Sequence, residues 1–326
     1  MQERSKKRWD LQRVVKWAFS MGIGEGKNTD STVKEKEPGG CDRLRTMEYP
    51  LLTAELARQI EFAEAEAAVS CADTMHELRA GSESAVQRVC GGFAIYCGAG
   101  SPLTQAVGLG LDGPVTSEEF DQLEEFYFSR KEPVRVETCP MADASLFELF
   151  GQRGYRVTEF SNVMARPVCQ SEEYAVPQGV EIRRAGREEL GLWTLTVAQG
   201  FAEYFPVTQE LLDVMKMFAL SKGTECYLAR IEGRVAGGGT LAVRGKIAGL
   251  FGASTLPDYR RRGVQTALLE ARLRRAAEAK CDLAVSLVQP GSASNRNIAR
   301  RGFQTLYTRV KFERAFLENR VGEERK

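Results

Sequence analysis

Hydrophobic and polar positions follow two periods along the chain, and together they predict a mixed α/β protein. Helical spacing of apolar residues runs from Thr53, and it begins again at Thr116, where Glu119 completes a capping-box pattern. Short apolar runs bounded by glycine or proline predict strands. In the first half, helices are predicted over 53–78, from 116 onward and over 144–152, and strands over 92–97, 105–111, 134–138 and 155–166.

The second half shows a clearer pattern. One strand and two helices are followed by three strands whose connections, Glu232-Gly233 and Arg244-Gly245, are short turns of the hairpin type. A helix, a buried strand, a short helix and a long strand complete the chain. The predicted strands are 180–184, 225–231, 234–243, 246–254, 283–288 and 303–314, and the predicted helices are 187–200, 208–220, 264–279 and 294–301.

An internal repeat connects the two halves. Arg153-Gly154-Tyr155 in the first half matches Arg301-Gly302-Phe303 in the second. Each motif follows a short predicted helix and precedes a long predicted strand. The spacing from the glycine to the closing arginine, Arg166 or Arg314, is the same in both copies. The matching order of elements therefore predicts a duplicated fold.

The composition along the chain suggests where the domains begin and end. Residues 1–46 are polar and charged without period, which predicts a disordered or weakly ordered tail. One domain is predicted over 47–166 and a second over 180–326. Between them, residues 167–179 contain two prolines and few apolar side chains, as a linker does.

Overall charge and hydropathy exclude several classes of function. The 326 residues include 45 Lys and Arg against 44 Asp and Glu, so no overall field attracts nucleic acid. No apolar run is long enough to cross a bilayer, and the N-terminus lacks the apolar core of a signal peptide. We therefore expect a cytoplasmic protein with neither nucleic-acid nor membrane partners.

Cysteine and histidine content limits the chemistry further. The eight cysteines form no C-x-x-C pair, and most lie in apolar surroundings, which predicts free structural thiols. His76 is the single histidine. A Ser-His-Asp triad and a histidine-rich metal site are thereby disfavoured, and no metal is expected.

Positive charge is concentrated where a predicted strand meets an amphipathic helix, in the segment 255–269. Three consecutive arginines, Arg260 to Arg262, stand directly before Gly263. The first N–H groups of a helix have no partner within it, and the helix dipole is positive there. With the close backbone approach that glycine permits, this junction suits a pyrophosphate. A solvated basic turn is the alternative interpretation of the arginines.

This junction resembles the pyrophosphate-binding motif of the GCN5-related N-acetyltransferase (GNAT) superfamily, written R/Q-x-x-G-x-G/A. Arg260 matches its first position and Gly263 its second, while Gln265 replaces the final small residue. Residues 291–303 resemble the family's closing turn, helix and Gly-Phe. The resemblance implies an α/β (α+β) GNAT fold, a mixed, mostly antiparallel sheet flanked by helices. With the repeat, it implies a tandem protein whose second half is catalytic and whose first half is degenerate.

The resemblance also implies the cosubstrate and its contacts. Acetyl-CoA, or another acyl-CoA, would be bound by residues at the junction and on the helix after residue 291. These are Ser254, Thr255, Leu256, Arg260, Arg261, Arg262, Gly263, Val264, Gln265, Thr266, Ser294 and Asn297. Two positions depart from the family. Ile298 stands where a thiolate-protonating tyrosine is frequent, and Gly291 stands where an asparagine is usual. Tyr307 is predicted to be a packing residue rather than a substitute acid.

The family's mechanism implies an N-acyltransferase in which a primary amine attacks the thioester of acetyl-CoA. A backbone N–H near the end of the strand 249–254 would polarise the carbonyl. The strand 246–254 has no Asp or Glu, where relatives often place the base. Glu203 and Tyr204, in the loop between two helices, are the candidate catalytic residues; otherwise they are polar and packing residues of that loop.

Several alternatives stay open. The acceptor is a small-molecule or peptide amine, and the protein is a monomer or a homodimer. A non-catalytic acyl-CoA-binding sensor or regulatory protein is the second hypothesis, favoured by the missing tyrosine and base. An aminoacyl-tRNA-dependent transferase is the third, although it would need a broad basic surface and no CoA loop.

The first half contains a G-x-G-x-x-G sequence, Gly108 to Gly113, which matches a dinucleotide-binding fingerprint. Pro114 follows it, and the next helix begins with five carboxylates within a few residues. Carboxylates at a helix N-terminus stabilise the dipole but repel phosphate groups. We therefore expect that the first half binds neither a dinucleotide nor CoA.

Overall fold

The computed structural model describes residues 49–78, 84–201 and 206–317. Its helices are α1 (Ala54–Leu78), α2 (Ser117–Phe128), α3 (Ala144–Gln152), α4 (Leu190–Gly200), α5 (Gln209–Leu220), α6 (Val264–Glu278) and α7 (Ala293–Ala299). Its strands are β1 (Ala85–Val89), β2 (Gly92–Tyr96), β3 (Gln105–Val107), β4 (Val134–Thr138), β5 (Arg156–Pro167), β6 (Glu181–Arg184), β7 (Thr224–Ile231), β8 (Arg234–Arg244), β9 (Ile247–Thr255), β10 (Leu283–Val288) and β11 (Gln304–Arg314).

The predicted elements are present, with two differences in the first half. Strand β1 was not predicted, because this edge strand is short and half-exposed and contains Gln87 and Arg88. Strand β3 ends at Val107, earlier than predicted, since Gly108 and Gly110 have positive φ angles that turn the chain. The capping box at Thr116 and Glu119 is confirmed.

All eleven strands of the described chain form one continuous sheet, in the order β1-β2-β3-β4-β11-β5-β10-β9-β8-β7-β6. In the first half, β3 and β4 form a parallel pair. In the second half, β9 and β10 do the same. Other neighbours are antiparallel, so the predicted mixed, mostly antiparallel sheet is confirmed.

The two halves exchange their last strands at the centre of this sheet. Strand β5 belongs to the first half but pairs with β10, whereas β11 belongs to the second half and pairs with β4. The register between β5 and β11 is symmetric, since Gln304 pairs with Ala165 and Glu313 pairs with Arg156. The first residue of each strand therefore faces the matching position near the end of the other, as a duplicated fold requires.

The repeated Arg-Gly-aromatic motif makes the same contact in both halves. Arg153 reaches Glu124 on α2, with 3.0 Å between Nη1 and Oε2. Arg301 reaches Glu270 on α6, with 3.3 Å between Nη1 and Oε1. In each half, the arginine after the short helix is thus paired with the preceding long helix, which explains why the repeat is visible in the sequence.

Helices cover both faces of the sheet. Helices α1, α4 and α5 pack on one face, where Ile95 of the first half and Trp193 and Phe218 of the second share one apolar core with α1. Helices α2 and α3 cover the other face in the first half, and α6 covers it in the second. Helix α1 therefore belongs by sequence to the first half but stabilises both.

A buried polar network joins α1 to β11. The Tyr307 hydroxyl donates to Glu61 Oε1 over 2.6 Å, and Arg309 Nε lies 2.7 Å from the same oxygen. Burial, and then the Glu61 carboxylate, raise the pKa of Tyr307 well above its ordinary value. Tyr307 is thus engaged inside the protein and stays protonated, as its predicted packing role requires.

The seven described cysteines are all free thiols, and six of them are buried. His76 lies exposed on α1. Within residues 49–78, 84–201 and 206–317, no cluster of histidine, cysteine and carboxylate side chains could hold a metal ion. Over the same ranges, no helix has the length and hydropathy needed to span a membrane.

Candidate functional site

The strand-to-helix junction that the sequence singled out begins where β9 ends, at Thr255. A 3₁₀ turn over Pro257–Tyr259 leads to α6, whose first helical residue is Val264. The N-cap is Gly263, at φ 79°, and it has no side chain with which to cap the helix. Since the first N–H groups of a helix have no partner within it, this end can donate to an anion.

Gly263 has a second structural role. A Cβ placed on it would lie 3.2 Å from the Cβ of Pro177, in the linker between the halves, in addition to the strain of a positive φ angle. The linker therefore packs directly against the junction. Glycine at this position is required by backbone conformation and by this close contact.

The three arginines of the junction differ in environment. Arg260 is half-buried, and its Nη2 donates to the carbonyl of Gly200 over 3.4 Å. Arg261 is exposed and has a positive φ angle of 60°. Arg262 lies 3.7 Å from Glu232 in a solvent-exposed pair. Exposed pairs of this kind contribute little free energy, so Arg262 can exchange its partner for a phosphate.

Other predicted contact residues hold the junction together through their side chains. Gln265 Nε2 donates to Thr255 Oγ1 over 2.9 Å and so joins the first turn of α6 to the end of β9. The Ser254 hydroxyl donates to Val197 of α4, and Thr266 Oγ1 accepts from Arg301 Nη2 over 3.1 Å. These side chains fix the frame of the junction around the start of α6, which has no side-chain cap.

Strands β9 and β10 diverge toward this junction. Their parallel pairing joins Leu283–Val285 to residues 247–249, although β9 continues to Thr255 and β10 to Val288. Ser286 Oγ donates to the Leu250 carbonyl over 3.0 Å just after the last backbone pair. The sheet therefore opens between the ends of the two strands, beside the start of α6.

A β-bulge places one peptide N–H toward that opening. Thr240 pairs with Phe251 and Gly238 with Ser254, so the register shifts between these pairs, and Gly252 has a φ angle of 55°. The Thr240 hydroxyl donates to the Phe251 carbonyl. Because a trans peptide directs its C=O and N–H in opposite senses, the Gly252 N–H points away from β8. It can thus donate to a group held between β9 and β10.

Helix α7 begins near the end of β10. The N-cap Ser292 accepts from Asn295 N over 3.1 Å, Ser294 is buried, and Asn297 accepts from Arg300 over 2.9 Å. Ile298 is only 8% exposed and packs in the same core as α6. Its side chain therefore faces the protein interior.

The two predicted catalytic residues, Glu203 and Tyr204, lie outside the described residues. The chain just before them lies close to the end of β9. Gly200 packs against Ser254, and a Cβ on Gly200 would overlap the Ser254 hydroxyl. The C-terminus of α4 thus reaches the end of the strand that bears the bulge.

Sequence reasoning missed the groups that shape the bulge. Gly237, Gly238 and Gly239 stand in the middle of β8, and Arg272 lies on the buried face of α6. A Cβ on Gly238 would lie 3.0 Å from Trp193 Nε1, and one on Gly239 would lie 3.2 Å from Arg272 Cζ. Three glycines inside a strand, and an arginine among the apolar positions of a helix, were the signals available.

Residues 193–303 match the sequence profile of the Acetyltransferase (GNAT) family. No curated protein matches the chain.

Three similar solved structures share the fold at low sequence identity. A GCN5-related N-acetyltransferase from Kribbella flavida is 15% identical, with a TM-score of 0.57, over 79% of this chain and 95% of that one. A tandem GNAT protein from the clavulanic acid biosynthesis pathway is 13% identical, with a TM-score of 0.51, over 82% of this chain and 98% of that one. A functionally unknown conserved protein from Staphylococcus epidermidis is 10% identical, with a TM-score of 0.51, over 74% and 97%.

Proposed function

We propose that this chain is an N-acyltransferase of the GNAT superfamily that moves an acetyl (acyl) group from acyl-CoA to a primary amine, and the match of residues 193–303 to that family's profile supports the proposal. The observation that carries the proposal is the convergence of three features at one end of β9. These are the uncapped N-terminus of α6, the opening between β9 and β10, and the bulge at Gly252.

The residues at this end of the sheet fit an acyl-CoA. The pyrophosphate would be held by the N–H groups at Gly263 and the first turn of α6, with Arg260, Arg261 and Arg262 around it. The pantetheine arm would extend from there into the opening between the strands. The thioester would then lie near the Gly252 N–H, the group that the bulge directs toward the opening.

Acyl transfer from a thioester to an amine needs few catalytic groups from the protein. The amine nitrogen forms a bond to the thioester carbon, the C–S bond breaks, and CoA leaves as a thiolate. A preorganised N–H beside the carbonyl oxygen, such as that of Gly252, stabilises the negative charge that develops there. Glu203 and Tyr204 stay the candidate groups that take the amine's proton. A thiol with a pKa of about 8.5 forms a tolerable leaving anion, so the reaction does not require a proton donor at position 298, where this chain has isoleucine.

We assign the catalytic role to the second half, 180–326, and a supporting role to the first, 47–166. In the first half, the matching helix start is closed by Thr116 and Glu119. The similarity to a structure described as a tandem GNAT protein supports two copies of the fold in one chain. The first half would then shape the acceptor cleft and stabilise the shared sheet.

An acyl-CoA-binding sensor without turnover is the second candidate. The buried position of Ile298 favours it, since no residue there can protonate the thiolate. A thermal-shift screen of acyl-CoAs, followed by a panel of primary amines in a thiol-release assay, tests both. An enzyme is expected to release CoA thiol with at least one amine. Stabilisation by acetyl-CoA without thiol release across small amines and peptides would favour the sensor, and no stabilisation by any acyl-CoA would contradict both.

A further inference from the structure

The side chain of Arg272 lies buried behind the bulge on β9. The residue is 4% exposed, and its guanidinium donates to three backbone carbonyls. The distances are 2.9 Å from Nε to Leu268 O, 3.0 Å from Nη1 to Thr240 O, and 3.5 Å from Nη1 to Phe251 O. Among the residues that the structure describes, no carboxylate forms an ion pair with it. Burial lowers the pKa of Arg272 to about 10, so it stays charged at neutral pH.

Burying a cation without a counter-ion costs free energy. The residues around Arg272 make room for its guanidinium and hold the strands beside it. Gly239 leaves the space that the guanidinium occupies, since a Cβ there would lie 3.2 Å from Arg272 Cζ. On the other face of the sheet, Trp193 Nε1 donates to the Gly239 carbonyl over 3.3 Å. The bulge is thus held between α4 and α6, with the positive charge on the α6 side.

One of the three carbonyls that Arg272 contacts, that of Phe251, belongs to the peptide at the bulge, although at 3.5 Å this contact is the longest of the three. The Phe251 carbonyl accepts hydrogen bonds from both Arg272 and the Thr240 hydroxyl. Donation to a carbonyl polarises its amide and strengthens the hydrogen bond that the N–H of the same peptide can donate. That N–H belongs to Gly252, and it points away from β8 toward the opening.

We propose that Arg272 is a positioning residue that acts through the Phe251–Gly252 peptide, making the Gly252 N–H a stronger donor to the oxyanion formed at the acyl-CoA thioester. The proposal rests on the proposed acyltransferase function. Arg272 does not touch the substrate. It replaces solvent behind the bulge with a fixed positive charge, which requires no reorganisation when the carbonyl oxygen becomes negative.

The direct test is the infrared stretching frequency of the thioester carbonyl in bound, carbon-13-labelled acetyl-CoA. A stronger donor lowers this frequency, and the measurement needs no acceptor amine. We expect a lower frequency in the wild-type complex than in free acetyl-CoA. Arg272→Met should move it part of the way back toward the free value, because the Gly252 N–H remains as a weaker donor, and Arg272→Lys should retain more of the shift.

Arg275→Met is the matched control, because Arg275 lies on the same helix but pairs with Glu225, 3.0 Å away. Its complex should keep the wild-type frequency. If Arg272→Met does not fold, Thr240→Val removes the hydroxyl donor to the same carbonyl and should give a smaller shift in the same direction. A role in stability alone would change the melting temperature of the Arg272 variants without changing the frequency.

Turnover provides the second measurement. Once an acceptor is known, Arg272→Met should lower kcat about ten- to a hundredfold, somewhat less than the loss of an oxyanion donor itself. Its dissociation constant for acetyl-CoA should stay within about threefold of wild type. An unchanged carbonyl frequency in folded Arg272→Met, or in Thr240→Val where Arg272→Met does not fold, overturns the inference alone. Failure of the wild-type protein to bind any acyl-CoA overturns the proposed function and the inference with it.

Discussion

The loop after β3 and the loop after β9 occupy equivalent places in the two halves, but the helices that follow them begin differently. Helix α2 is closed by its own side chains, since Thr116 Oγ1 accepts from Glu119 N over 3.2 Å and Glu119 Oε2 accepts from Thr116 N over 2.9 Å. Helix α6 begins after Gly263, which offers no such cap. Donors that are occupied in the first half thus remain for a ligand in the second.

The charges around the two loops also differ, and like the caps they favour a phosphate only in the second half. The first turn of α2 contains Glu118 and Glu119, and the loop before it contains Asp112, which is paired with Arg58 at 2.6 Å. The first turn of α6 has no acidic residue, and three arginines precede it. The same strand-to-helix geometry can therefore suit or reject a phosphate, depending on the cap and the charges placed around it.

Removing two arginines of the second loop should produce the largest effect. Arg260→Gln with Arg262→Gln should weaken acetyl-CoA binding by roughly a hundredfold or more, because each charge-assisted hydrogen bond contributes about 1.5–3 kcal/mol. Calorimetry on the folded double variant measures this. Arg58→Gln, in contact with the first loop, is the control and should leave the affinity unchanged. Wild-type affinity in the double variant would remove the phosphate-binding role from this loop.

Gly263→Ala should have the next largest effect. A left-handed backbone costs a residue with a Cβ about 1–2 kcal/mol, and here the new methyl group would also meet Pro177. We expect a lower melting temperature and weaker acetyl-CoA binding. Gly113→Ala, in the first loop, also has a positive φ angle but has open space around it. It should lower the melting temperature less and leave the affinity unchanged; equal effects in both variants would show that Gly263 has no special role.

Thr116→Ala should produce the smallest effect. Loss of an N-cap hydroxyl typically costs about 1 kcal/mol of stability, because the Glu119 N–H loses its acceptor, while the bond from the backbone N–H of residue 116 to the Glu119 carboxylate stays. Chemical denaturation should detect this loss, while acetyl-CoA affinity stays at the wild-type value. A change in affinity without a change in stability would mean that the first loop takes part in binding.

Much of the fold could be predicted from the sequence, because periodicity, turn residues and the Arg-Gly-aromatic repeat are local signals. The exchange of β5 and β11 could not, since either order of the central strands satisfies the same apolar pattern. Strand β1 was also missed, because an exposed edge strand lacks the apolar alternation on which prediction depends.

Part of the candidate site could also be predicted from the sequence. The junction from Thr255 to Gln265 is a contiguous motif and was found. The groups behind the bulge come from three separate elements, and only the tertiary structure brings Thr240, Phe251 and Arg272 together. Their spacing in the sequence follows no motif, so residue types alone did not reveal them. Glu203 and Tyr204 stay predictions.

The number of acyl-CoA molecules bound per chain tests the contrast between the two halves most directly. Isothermal titration calorimetry with acetyl-CoA should give one site per chain, and the Arg260→Gln, Arg262→Gln double variant should lose most of its affinity. A stoichiometry of two would show that the first half also binds the cosubstrate. A single site that keeps its affinity in the double variant would place the cosubstrate away from the junction, and either result would contradict this account.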